Sequence, residues 1–213
     1  MKKIIILVVL AITINQAQAQ TSTTDSVHLK FNTELVKAGM TFTMPNGAVE
    51  VPIVKNMQMH YEMAVTIPGK AIEVRYAIAP YSTMRNAMKK SQKDGDTTEV
   101  FNKRINNMSR AITYSIATNV GGGVRDSTIR SQMFPPEAVK REFGADFGGT
   151  ILIPVKNNSF GTQYKFCMMI ALHKDFAGDG YIMYLGDSLQ SIGPIVKEHF
   201  GINGGFYALK FKQ

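Results

Sequence analysis

Four side chains in one stretch of the sequence are spaced to share a surface: His60, Glu62, Glu73 and Arg75. An imidazole and a carboxylate two residues apart on an extended strand point the same way. Such a pair can ligate zinc or pass a proton. Around them, Met57, Met59, Tyr61, Met63, Val65 and Ile67 alternate with Gln58, His60, Glu62, Ala64 and Thr66. Alternation with period two marks a half-buried strand. Pro68, Gly69 and Lys70 supply a turn, after which Ile72, Val74, Tyr76 and Ile78 alternate with Glu73, Arg75 and Ala77. The spacing predicts a hairpin whose paired residue numbers sum to 137, with Tyr61 facing Tyr76, Met63 facing Val74 and Val65 facing Ile72. On the other, solvated face Glu62 would lie across from Arg75 as an ion pair. That face is the expected binding site. An enzymatic alternative would use His60 with Glu62 or Glu73, or the similarly spaced His173 and Asp175, as metal ligands or acid–base groups.

Other motifs point to chemistry less well. Gly186, Asp187, Ser188 and Leu189 resemble the nucleophile motif of GDSL esterases, whose serine depends on a later Asp-x-x-His. No such motif follows here, and the only downstream histidine is His199. A nucleophile needs a base within reach, so Ser188 is expected to cap a helix instead. Met57, Met59, His60 and Met63 are similar in spacing to the Cu(I) ligands of exported copper-handling proteins. The alternation puts the methionines on the apolar side and His60 on the other, which predicts core filler. Residues 175–186 resemble part of a calcium-binding loop, but Ala177 and Gly186 stand where ligands are needed, and a hairpin turn accounts for Asp175, Asp179 and Gly180. The glycines at 121–123 lack the Lys-Ser/Thr of a phosphate loop and read as a flexible connection. These patterns call for no metal and no other cofactor.

The elements that must position these residues follow from periodicity. Residues 82–93 read as a short helix with Met84, Ala87 and Met88 on one side. A longer helix carries a stripe of Phe101, Ile105, Met108, Ile112 and Ile116. Asp96 with Glu99 is its expected cap pair. Pro135 and Pro136 open a brief helix to Phe143, stopped by Gly144. Residues 150–155, 164–172 and 181–185 read as strands, the middle one apolar on both faces and therefore central. A last helix carries Leu189, Ile192, Ile195, Val196 and Phe200, and residues 206–211 form a terminal strand. The class is α+β, a mainly antiparallel sheet with about three to four helices in one domain. The order of elements over residues 41–212 resembles that of Mog1/PsbP-like proteins. The resemblance implies a binding or assembly role in place of catalysis.

The ends and the composition bear on location. Lys2 and Lys3 precede an apolar run from Ile4 to Ile14, and Ala17, Gln18 and Ala19 form an A-x-A site. The run is about half the length needed to span a bilayer, so residues 1–19 are expected to be a cleaved signal peptide. Residues 20–26 are expected to be a flexible leader, and 27–213 the domain. Cleavage would leave 194 of the 213 residues and bring the net charge from +8 to +6. Cys167 is the only cysteine, which rules out an intramolecular disulfide. Arg85, Lys89, Lys90, Lys93, Lys103, Arg104 and Arg110 form basic helix faces open to contact with an anionic surface. The expectation is a periplasmic or secreted, non-enzymatic binding or accessory protein of the bacterial envelope. Its partner would be a protein, a glycan or a small molecule; neither nucleic acid nor a membrane span is expected.

Overall fold

The computed structural model describes residues 26–93, 95–123, 129–156, 160, 163–198 and 205–213. Residues 1–19, expected to be a signal peptide, nearly all of the expected leader, and His199 and Phe200 lie outside the described residues; Ser26 already belongs to a helix. The described strands are β1 (Met40–Phe42), β2 (Val49–Glu50), β3 (Met63–Thr66), β4 (Ile72–Pro80), β5 (Arg130–Met133), β6 (Phe147–Pro154), β7 (Phe166–Lys174), β8 (Gly178–Gly186) and β9 (Leu209–Phe211). The helices are α1 (26–37), α2 (Tyr81–Met88), α3 (Thr98–Val120), α4 (Pro136–Phe143) and α5 (Leu189–Glu198).

The class is α+β, as expected, built on a seven-stranded antiparallel sheet in the order β2-β3-β4-β8-β7-β6-β5, with β1 and β9 paired apart from it. Both faces of the sheet are covered. On one face Val65, Val74, Tyr76, Ile170, Leu172, Ile182 and Tyr184 pack with side chains of α1, α4, α5 and β9. On the other, Ala77, Ile151, Ile153, Cys167, Met169, Tyr181, Met183 and Leu185 pack under α3 and the chain around Met59 and Tyr61. β8 is buried along its whole length, and β7 is interior as its two-sided apolar pattern predicted. Burying each large apolar side chain contributes about 1.5–3 kcal/mol, which lets the core hold without disulfides.

The hairpin differs from its expected register. Met63 pairs with Tyr76, Ala64 with Arg75, Val65 with Val74 and Thr66 with Glu73. Alternation separated Met63, Val65, Val74 and Tyr76 from Glu73 and Arg75 as found, but Met59 and Tyr61 pack on the Arg75 side and not with Met63, and the turn sets the register. Pro68 locks a negative φ, while Gly69 lies at φ +78. Two-residue hairpins favour a positive φ at the first turn position, so a Pro68–Gly69 turn does not lead directly into paired strands. Lys70 N–H donates to Ile67 C=O (3.0 Å), and the ladder begins only at Thr66.

The strand is also shorter than the alternation predicts. Asn56 Oδ1 accepts from the N–H groups of Gln58 (3.1 Å) and Met59 (2.9 Å), bending the chain there. Met57 is left 95% exposed and is not core filler, whereas Met59 is buried.

Two helix details also need correction. α1 was not anticipated, although Phe31, Leu35 and Ala38 are spaced four and three apart and all three are buried. The cap of α3 is Thr97, which accepts from Val100 N–H (3.2 Å). Asp96 instead binds Arg104 at 2.6 Å.

Candidate functional site

The four candidate residues fall into two clusters, and most of them are not solvated. Arg75 on β4 is 1% exposed, Glu73 8% and Glu62 6%. Tyr61, Phe160 and Tyr164 close over Arg75 and Glu73, and Lys30 of α1 reaches Glu62, on a face that alternation alone assigned to solvent. Arg75 pairs with Glu73, Nε to Oε1 at 2.6 Å, and not with Glu62. Its Nη1 donates to the Phe160 carbonyl. The guanidinium lies between the rings of Tyr61 and Phe160, 4.6 and 4.7 Å from their centroids. Tyr164 donates its hydroxyl to the second Glu73 oxygen (3.0 Å). Burial and then the Glu73 charge push that phenol up to about 12. Every strong donor and acceptor here is turned inward, as a buried ion pair requires.

The second cluster sits where α1 meets β3. Glu62 accepts from Ile78 N–H (3.1 Å) and lies 3.2 Å from His60 Nε2 and 4.0 Å from Lys30 Nζ. His60 Nε2 is in turn 2.6 Å from Lys30 Nζ. Burial raises the Glu62 pKa above the usual glutamate value, against the opposing pull of Ile78 N–H and Lys30. Burial and Lys30 together lower that of His60. Among the described residues, no hydrogen bond or ion pair joins this cluster to Arg75 and Glu73.

His173 and Asp175 do meet, Nε2 to Oδ1 at 3.0 Å, at the end of β7. The structure adds partners that the spacing did not show. His173 Nδ1 is 2.5 Å from Asp179 Oδ1, which also accepts from Ser109 Oγ (2.8 Å), while Tyr181 donates to Oδ2 (3.2 Å). His173, Asp179 and Ser109 are all buried. A serine, a histidine and an aspartate are therefore within bonding reach, but the aspartate stands between the other two. Nucleophilic attack needs the imidazole against the serine. Here both ring nitrogens face carboxylates, so the group works as a clamp joining α3 to β7 and β8. Burial lowers the His173 pKa, yet the hydrogen bonds and charges of Asp179 and Asp175 outweigh it and hold the value above the ordinary one.

Ser188 is the cap that its position predicted. Its Oγ accepts from Ser191 N–H (3.1 Å), and Ser191 Oγ accepts from Ser188 N–H (3.3 Å). This reciprocal arrangement is that of a capping box. Residues 175–177 make the expected hairpin turn between β7 and β8. Among the described residues, no group of three or more His, Cys, Asp or Glu side chains is placed to hold a metal ion.

A cleft of about 250 Å³ opens beside the His173 clamp, between α3 and the β5–β6 margin of the sheet. Phe147, Ile151 and Met133 supply apolar walls, with Gly149 and Ala171 below. Gly149 has no side chain to fill the space, and a Cβ there would meet Gln132 O at 2.6 Å. Tyr114 and Ser131 close one side through a hydroxyl contact of 3.2 Å. Arg110 is exposed at the rim, with its guanidinium 5.0 Å from the Phe147 ring centroid, and that ring stacks on His173. Arg110 has no ion-pair partner among the described residues.

No family model, no curated protein and no solved structure matches this chain. None of the three comparisons supports the resemblance to Mog1/PsbP-like proteins, which was read from element order in the sequence. The cleft escaped sequence reasoning because its walls come from segments far apart in the chain, and Arg110 was read only as part of a basic face.

Proposed function

We propose that this chain is an exported, non-enzymatic binding protein of the bacterial envelope, which takes a small apolar acid in the cleft between α3 and the β5–β6 margin. Arg110 carries this reading. A guanidinium with no ion-pair partner among the described residues stands at the mouth of a cleft walled by Phe147, Ile151 and Met133, with hydroxyls of Thr113, Tyr114, Ser131 and Thr150 at its sides. It supplies what an amphipathic carboxylate needs, a greasy slot and one charge-assisted contact. The volume lies just under the roughly 300–1,000 Å³ of drug-sized sites, which favours a single ring system or a short acyl chain. The internal bonding of His173, Asp179 and Ser109, and of Glu73 and Arg75, favours binding over catalysis at those groups. Export rests on the sequence of residues 1–19.

Calorimetric titration with 2-naphthoate, octanoate and their neutral amides tests the proposal. The acids should bind about tenfold more tightly than the amides, a difference of about 1.4 kcal/mol. Arg110→Gln should erase that preference, and Ala171→Leu should block both kinds of ligand. Unchanged acid binding by Ala171→Leu would place the ligand elsewhere. Ester or peptide turnover abolished by His60→Ala would replace the proposal with the enzymatic alternative.

A further inference from the structure

We infer that the tip of the β7–β8 hairpin is a separate glycan site, in which Phe176 stacks against the apolar face of a pyranose ring. Phe176 is 60% exposed and is the one described residue other than glycine with a positive φ, +60°. Ala177 N–H donates to Lys174 C=O (3.1 Å), so Phe176 occupies the third position of a β-turn. With φ positive, that position suits glycine or asparagine, and a bulky side chain is strained there.

The surroundings hold the strained ring outward. Asn106 Oδ1 accepts from Phe176 N–H (3.2 Å), Tyr81 N–H donates to Ala177 C=O (2.9 Å), and the Tyr81 ring meets Phe176 edge-on at 5.8 Å. An aromatic ring already fixed in solvent has little freedom left to lose on binding, which favours stacking.

The ring borders an open cleft of about 550 Å³ whose other walls are polar. Asn102, Asn107, Glu99, Lys103 and Asp175 face it with amides, carboxylates and an ammonium. Asn107, Glu99 and Lys103 are exposed and have no bonding partner among the described residues. Sugar hydroxyls both donate and accept, so mixed amide and charged groups around one aromatic platform suit a saccharide. An apolar peptide would leave those groups unpaired. This cleft faces the amino-terminal half of α3, while the Arg110 cleft lies further along the helix, and the two share no lining residue.

The test uses the full chain and three oligosaccharides, those of four N-acetylglucosamine, four α-linked glucose and four β-linked glucose units, followed by amide chemical shifts. At least one should shift Phe176, Asn102 and Asn107 in a saturable way. Phe176→Gly should weaken that binding about tenfold, equivalent to 1.4 kcal/mol, while melting no lower than the parent, because glycine adopts the positive φ without strain. Asn107→Ala should weaken it several-fold, and Ala171→Leu should leave it unchanged. The inference is overturned if no saccharide shifts these residues, if Phe176→Gly binds like the parent, or if it loses binding and stability together. Phe176-dependent binding of aromatic peptides, with no saccharide binding, would overturn it as well.

Discussion

Replacing Glu73 with alanine should be among the most damaging single changes in the domain. Arg75 is 1% exposed and Glu73, at 2.6 Å, is its only carboxylate partner among the described residues. Removing one member of a buried ion pair leaves an uncompensated charge and typically costs about 3–5 kcal/mol. The Tyr61 and Phe160 faces remain, and a desolvated cation over aromatic rings keeps about 2 kcal/mol of attraction, so the lower end of that range is expected here. At about 2–4 °C per kcal/mol for a domain of this size, the midpoint should fall by about 6–12 °C. Thermal melts and urea titrations monitored by circular dichroism would measure it.

The reference variant is Glu73→Leu with Arg75→Met, which removes both charges and refills the volume. It should recover most of the loss, because replacing a buried pair by apolar groups is often neutral or favourable. The recovery should appear as strong non-additivity between the two changes. A single-variant loss under about 1 kcal/mol would show that water reaches the pair. A double variant no better than Glu73→Ala would show that the cost lies in packing and not in the charge.

Four further outcomes follow from particular groups. Burial raises the Glu62 pKa, so the native state holds a proton that the unfolded state releases, and stability should fall as pH rises from about 4.3 through the raised value; urea midpoints of Glu62→Gln should lack that decline. The raised His173 pKa has the same sign in a higher window: its contribution is full below about pH 6.5 and is lost as pH climbs through the folded value, a slope His173→Gln should flatten. Cys167 is fully buried and burial pushes its thiol up to about 12, so a thiol reagent at neutral pH should label it only after denaturation. Ser188→Ala should cost about 1 kcal/mol by loss of the cap and leave ligand binding intact; fluorophosphonate labelling of the parent abolished by this change would restore the esterase reading.

Much of the fold was legible because its signals are local. The apolar runs of β7 and β8, Pro136 and Gly144 around α4, and Ser188 before α5 each act within a few residues of themselves. Helix α1 was missed although Phe31, Leu35 and Ala38 carry its spacing, because exposed Leu29 and Val36 blur its amphipathic stripe. The hairpin register was not readable from side-chain pattern, since a shift of two residues keeps every side chain on its face. It depended on Pro68, whose effect is on backbone dihedrals. The ion pairs were lost with the register: Glu62 and Arg75 were matched as neighbours across the turn, whereas Arg75 takes Glu73 from its own strand.

Alternation reports which residues share a face, but not whether that face meets water. Glu73 and Arg75 looked solvated because nothing in β4 announces Tyr61 and Phe160 above them; over Asp179 and Tyr181 of β8 the cover is α3. The information lies in α3 itself. Asn106, Ser109 and Thr113, spaced three and four apart, interrupt its inward side between Ile105 and Ala117. A helix whose packed side is polar at its centre needs polar partners below it, since an unpaired buried group costs about 1–3 kcal/mol. Asp179 and Tyr181 meet that need by bonding Ser109 and Thr113. The same stretch of α3 brings no large apolar side chain down to the sheet, and Gly149 and Ala171 rise little to meet it. A helix with small inward side chains over a sheet with small residues leaves space unfilled, and the Arg110 cleft lies there. The clamp and the cleft thus share one origin, the polar middle of α3.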